Sequence, residues 1–250
     1  MKCFFLADDH DPVAWAMVQD NFHKHAPEHW KIERFFPVVG QNAGEAWHDL
    51  LLRESAAQTP FLIATPGCLL GPNSGQTIEN SIGHLQQSGG FDVLFSDLRL
   101  TQAGPMADLF NLRRSLVEAG RTRLIDPRSM GFAAPGLTVV HPRATESLAP
   151  QALGAETFAD VIERALCESV RSGALMGRFI FPFATTLSRG DDANTPTDKA
   201  ARNAAVGDIY RRMVWRDGGG TPELQPIAEM SKGLSTEAKA LAIMWAALAD

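Results

Sequence analysis

Asp8-Asp9-His10-Asp11 is the densest set of ligand-type side chains in the chain. Three carboxylates and an imidazole follow directly on the apolar run Cys3–Ala7, which reads as a strand. In open α/β sheets, ligands bind outside the carboxyl ends of strands. Such a cluster could hold Mg²⁺ or Mn²⁺ through oxygen and nitrogen donors. The same carboxylates could instead cap a helix opened by Pro12, accepting from its first backbone N–H groups. Asp97 closes a second apolar run, Phe91–Phe95, and is a candidate general base toward a hydroxyl or a substitute metal ligand. The alternative is a turn aspartate paired with Arg99 or Arg113. His141 and Arg143 follow the apolar run Leu137–Val140, where a guanidinium fork could meet an anionic phosphate or serve structure alone.

Other clusters fit poorer chemistry. His23, His25 and His29 have ligand-like spacing but fall at a helix end around Pro27, which suits a solvated terminus. Glu156, Asp160 and Glu163 share one helical face. Arg189-Gly190-Asp191-Asp192 fits a lid or a plain connector. Gly218-Gly219-Gly220 lacks the Lys-Ser/Thr of a phosphate loop and reads as a hinge. No Gly-x-Ser-x-Gly elbow occurs. The three cysteines, Cys3, Cys68 and Cys167, are widely spaced, as buried reduced thiols would be.

The elements that must position these residues alternate short apolar runs with amphipathic stretches, which predicts an α/β fold with a mainly parallel sheet flanked by helices. Strands are expected at Cys3–Ala7, Lys31–Val39, Phe61–Ala64, Phe91–Phe95, Leu137–Val140 and Arg178–Phe181. Helices are expected from Pro12, over Gly44–Ser55, Thr77–Gln87, Met106–Ala119, Thr157–Arg171 and Lys199–Val214. A last helix, Ser235–Leu248, carries a stripe of Leu241, Met244, Trp245 and Leu248. The texture changes after Thr186, which divides the chain into an α/β domain over 1–186 and a loop-rich, helical C-terminal extension over 187–250.

With 250 residues and a formal charge of −6, the composition argues against the broad basic footprint that nucleic acid needs. The apolar stretch near Met1 is too short for a signal-peptide core. No segment reaches the roughly 18 apolar residues of a membrane span. A cytoplasmic protein is the expectation.

The order of segments resembles glycosyltransferase family 25, the lipopolysaccharide and collagen sugar transferases. The likeness rests on the N-terminal strand and acidic turn, Phe35-Phe36-Pro37-Val38-Val39-Gly40, Ala43-Gly44-Glu45 before His48, Phe91-Asp92-Val93-Leu94, and Phe158-Ala159-Asp160. It covers roughly residues 2 to 185. The resemblance implies a GT-A or Rossmann-like fold and transfer of a sugar from a nucleotide-activated donor to a carbohydrate or small-molecule acceptor. It places Ala7, Asp8 and Asp9 near the nucleotide and Thr65 beside the diphosphate, and it gives Asp97 or Asp160 the acceptor. Where that family carries Glu-Asp-Asp, this chain has Ala64-Thr65-Pro66. A metal-independent reaction is therefore expected, with leaving-group charge met by cations such as Arg143 or Arg189, or by helix N-termini. No residue is assigned as a metal ligand, and a Mn²⁺ or Mg²⁺ cofactor stays open. So does a homodimer. The alternative is a glycosyltransferase fold that has lost catalysis and acts as a binding or scaffolding protein. A Mg²⁺-dependent phosphate-processing enzyme built on Asp8, Asp9 and Asp11 ranks behind both.

Overall fold

Local chemistry sets most of the elements near their expected places. The second strand, however, stops at Phe35 rather than Val39, and the helices expected from Thr77 and Met106 start at Ser74 and Ala103. β1 (Lys2–Leu6) leads to α1 (Pro12–His25), which has Pro12 in its first turn and is capped by Asp11, whose carboxylate accepts from the Val13 and Ala14 N–H groups. β2 (Lys31–Phe35) is followed by α2 (Ala43–Ser55), opened by a reciprocal capping box between Asn42 and Glu45. Next come β3 (Phe61–Ala64), β4 (Cys68–Leu70), α3 (Ser74–Gln87), β5 (Val93–Phe95) and β6 (Arg99–Leu100). After α4 (Ala103–Glu118) lie β7 (Arg123–Ile125), β8 (Phe132–Ala133), β9 (Leu137–Val140) and the short helix α5 (Thr145–Leu148). The helix expected over Thr157–Arg171 is α6 (Phe158–Val161), a π-helical stretch Ile162–Glu168, and α7 (Ser169–Arg171). β10 (Gly177–Phe181), β11 (Thr185–Leu187) and α8 (Lys199–Met213) complete the described elements. The computed structural model describes residues 1–8, 11–57, 59–188 and 199–217. The expected Ser235–Leu248 helix, the Gly218–Gly220 hinge and the Arg189–Asp192 loop lie outside the described residues.

Seven strands form one sheet in the order β2-β1-β3-β9-β5-β10-β7. The pairings β1 with β2, β1 with β3, and β5 with β10 are parallel. β9 runs antiparallel to both β3 and β5, and β7 runs antiparallel to β10. β1, β2, β3, β5 and β10 therefore share one direction, so the sheet is mainly parallel, as expected. The reversal of β9 is a departure with consequences for the site. Its register sets Leu137 beside Ala64 and Val140 beside Phe61, so the start of β9 meets the ends of its neighbours.

Apolar layers cover both faces, as inner strands of a parallel sheet require. Phe4, Phe61, Val93 and Phe179 face a layer built from α2, α4, the α6–α7 helix and α8. Phe5, Leu62, Leu94 and Ile180 face α1 and α3 through Val18, Phe22, Ile78 and Leu85. On α8, Val206, Ile209, Tyr210 and Met213 belong to the first layer, so this part of the C-terminal region shares the core of the α/β body. No helix of the described residues is long and apolar enough to cross a membrane.

Candidate functional site

The carboxyl ends of β1, β3 and β5 lie on one edge of the sheet, together with the start of β9. Ala7 is buried there and donates its N–H to the Phe35 carbonyl. Asp8, next along, is exposed, and its Oδ1 accepts from the Phe158 N–H at 2.7 Å. Asp160 serves the same helix start. Its Oδ2 accepts from the Thr157 hydroxyl at 3.0 Å, and its N–H donates to Thr157 Oγ1. Asp8 and Asp160, 152 positions apart, thus meet at the first turn of α6, each engaged in satisfying backbone or capping groups. Asp9 and His10 lie outside the described residues.

Thr65 and Asp97 converge on the turn that enters β9. The Thr65 N–H and Oγ1 both donate to the Gly136 carbonyl, at 2.9 and 3.1 Å. Asp97 Oδ1 accepts from the N–H groups of Gly136 (2.8 Å) and Leu137 (3.1 Å). A Cβ on Gly136 would come within 2.7 Å of the Asp97 carboxylate, so only glycine admits this approach. Ser96 adds a hydroxyl pair with Thr185 at 2.5 Å and a bond to the Leu137 carbonyl. Asp97 is wholly buried. That placement corrects the picture of an aspartate open to an acceptor hydroxyl.

The partner of Asp97 is also a correction. Neither Arg99 nor Arg113 pairs with it. Arg211 of α8, itself fully buried, brings Nε to 3.5 Å from Asp97 Oδ2 and donates Nη2 to the Ala134 carbonyl. Arg99 instead forks onto Asp208 at 3.0 and 2.8 Å, and Arg211 Nη1 stands 3.9 Å from the same Asp208. Four charges therefore alternate from Arg99 through Asp208 and Arg211 to Asp97. Ala134 holds a positive φ of 43° without being glycine, a conformation costing of order 1 kcal/mol that its neighbours must enforce. Asp97 Oδ2, Arg211 Nε and Nη1, and Thr186 Oγ1 are buried without a hydrogen-bond partner. Sequence reasoning missed Arg211, although its spacing from Asp208 puts both on one helix face and a buried aspartate demands a cation.

His141 and Arg143 are not at this edge. β9 runs antiparallel, so the residues that follow it emerge at the amino ends of β3 and β5. There Arg143 Nε donates to Asp92 Oδ1 at 2.6 Å, and the His141 Nδ1 accepts from the Arg143 N–H. Asp92 Oδ2 also accepts from the Met176 N–H. Partial burial, followed by the nearby Arg143 charge, lowers the His141 pKa from 6.5. Five residues at about 3.3 Å each separate Gly136 from His141, roughly 16 Å across the sheet. The expectation that His141 and Arg143 join Ala7, Asp8 and Thr65 at one phosphate therefore fails.

His29 bonds Glu79 at 2.6 Å, while His23 and His25 occupy the last turn of α1. No group of three or more His, Cys, Asp or Glu side chains among the described residues could hold a metal ion. Burial raises the pKa of all three thiols, which leaves them poor nucleophiles. Compared with known proteins, the chain matches no family model and no curated sequence.

Proposed function

We propose that this chain is a glycosyltransferase-like α/β protein that receives a nucleotide-activated sugar at the carboxyl edge of its sheet. The observation that carries the reading is the convergence there of the ends of β1, β3 and β5, with Ala7, Asp8, Thr65 and Asp97 gathered by strands that share one direction. Open parallel sheets present their ligand crevice at that edge. The strand tip Ala64-Thr65-Pro66 offers no carboxylate, so a donor diphosphate would be held without a bridging metal at that tip. Asp160, exposed on the first turn of α6, remains the carboxylate that an acceptor hydroxyl could approach.

A specific observation favours a second reading, the same fold with binding retained and sugar transfer lost. Asp97 is buried and held by two backbone N–H groups and Arg211. Asp8 and Asp160 are engaged at a helix start, and Arg143 lies at the other edge. Thermal unfolding against a panel of nucleotides and nucleotide sugars, with and without Mn²⁺, tests the shared premise. A ligand present at about 100 times its dissociation constant should add roughly 2.7 kcal/mol to folding stability. Single-turnover assay of any stabilising nucleotide sugar then separates the readings. Turnover lost in Asp160→Asn supports transfer, and binding without turnover supports the second reading. A flat panel removes both.

A further inference from the structure

A polar cavity of about 180 Å³ opens beyond the carboxyl end of β10, lined by none of Ala7, Asp8, Thr65, Asp97 and Asp160. Its place follows from register. Thr122 precedes β7, whose first residue, Arg123, pairs with Phe181 at the end of β10. Asn73, Gln76, Thr77, Asn80, Thr122 and Arg216 supply the side chains that line it, with the Gly120 backbone. None of these is apolar and none is acidic. The volume is many times the roughly 10–15 Å³ needed for one water, so the cavity can take a small molecule.

Arg216 is the charged group of the lining, and its position is fixed from several directions. Its N–H donates to the Phe183 carbonyl, and the adjoining Trp215 bridges Phe183. The Trp215 carbonyl accepts from Arg113 Nη2, and the Trp215 indole N–H donates to the Ala184 carbonyl. On the other side, Asp217 accepts from the Asn73 N–H and side-chain amide. The guanidinium donates Nη1 to Thr77 Oγ1 at 3.2 Å and forms no ion pair among the described residues. By contrast, Arg99, Arg143, Arg171, Arg178 and Arg211 each stand against a carboxylate. Gln76 donates to Asn80 Oδ1, which leaves the Asn80 amide N–H groups for another acceptor. A half-buried guanidinium held in place with no ion pair among the described residues, ringed by amides and hydroxyls, is matched by a small oxyanion.

We infer that this cavity binds a small molecule bearing a phosphate or carboxylate group, with Arg216 as its anchor and Thr77, Asn80 and Thr122 bonding its remaining oxygens. The site does not depend on the sugar-transfer reading. Its test is thermal unfolding of the full chain against inorganic phosphate and, separately, acetate, at constant ionic strength set with chloride. The melting temperature rises with the concentration of at least one probe, and the stronger probe tells phosphate from carboxylate. Arg216→Gln weakens that binding at least tenfold, whereas Arg114→Gln, which changes an exposed surface arginine, leaves it intact. Asn80→Asp places a carboxylate in the lining without touching the Arg216–Thr77 bond and weakens binding comparably. It decides the matter if Arg216→Gln does not fold. No rise with either probe, or an equal rise in wild type and Asn80→Asp, overturns the inference.

Discussion

At the scale of single residues, the pair Asp97–Arg211 governs what the carboxyl edge can do. Both side chains are fully buried, and their nearest approach is 3.5 Å. Removing one partner of a buried ion pair strands the other charge, which typically costs about 3–5 kcal/mol. Arg211→Met should therefore lower the urea midpoint steeply, and Asp97→Asn in the same chain should restore part of the loss. If the double variant is no more stable than Arg211→Met, the two charges do not act as a pair. His141 gives a smaller effect of defined sign. Its folded pKa lies below 6.5 because burial and then Arg143 disfavour the imidazolium, so the unfolded chain binds the proton more readily. The stability it contributes is complete above about pH 6.5 and is lost as the pH falls toward the folded value. Between about pH 7.5 and 5.5, wild type should lose more melting temperature than His141→Gln. Superimposable pH profiles would remove this role.

At the scale of elements, Gly44 shows how a backbone approach is set by one missing atom. A Cβ there would stand 2.2 Å from the Ala152 carbonyl oxygen, so α2 rests on the 149–155 segment only because residue 44 is glycine. Gly44→Ala should cost about 1–3 kcal/mol by overpacking, measured from denaturant midpoints. An unchanged midpoint would mean that the segment yields freely. Gly44 and Glu45, two of the residues behind the family resemblance, thus have local work of their own: close packing and a capping box. Much at this scale was legible in the sequence. The run Phe61–Ala64, the Asp11 cap and the Pro12 start are local features with local causes. Strand direction is not local. The run Leu137–Val140 reads alike whether its strand runs up or down, because inner strands bury both faces in either direction. That ambiguity put His141 and Arg143 on the wrong edge. The partner of Asp97 was hidden for a related reason, since Arg211 lies 114 positions away and only tertiary packing of α8 brings it close.

At the scale of the whole molecule, the sheet has two chemically unlike edges. At the carboxyl edge, strand ends, the Gly136 turn and Asp97 gather polar groups around Thr65. At the amino edge, Arg143, Asp92 and the Met176 N–H form a closed arrangement that ties β9 to β5 and to the segment entering β10. A ligand seated by the ends of β1 and β3 is therefore indifferent to Arg143 and sensitive to bulk at Thr65. With any nucleotide sugar that stabilises the wild-type chain, Arg143→Gln should retain the full ligand-induced rise in melting temperature, even though the variant begins from a lower baseline. Thr65→Trp should lose most of that rise, because the indole would occupy the space beside the strand tip. The reverse result, with Arg143 required and Thr65 dispensable, would move the ligand across the sheet by roughly 16 Å. It would then be the amino edge, with its arginine and histidine, that has to be explained as the binding surface.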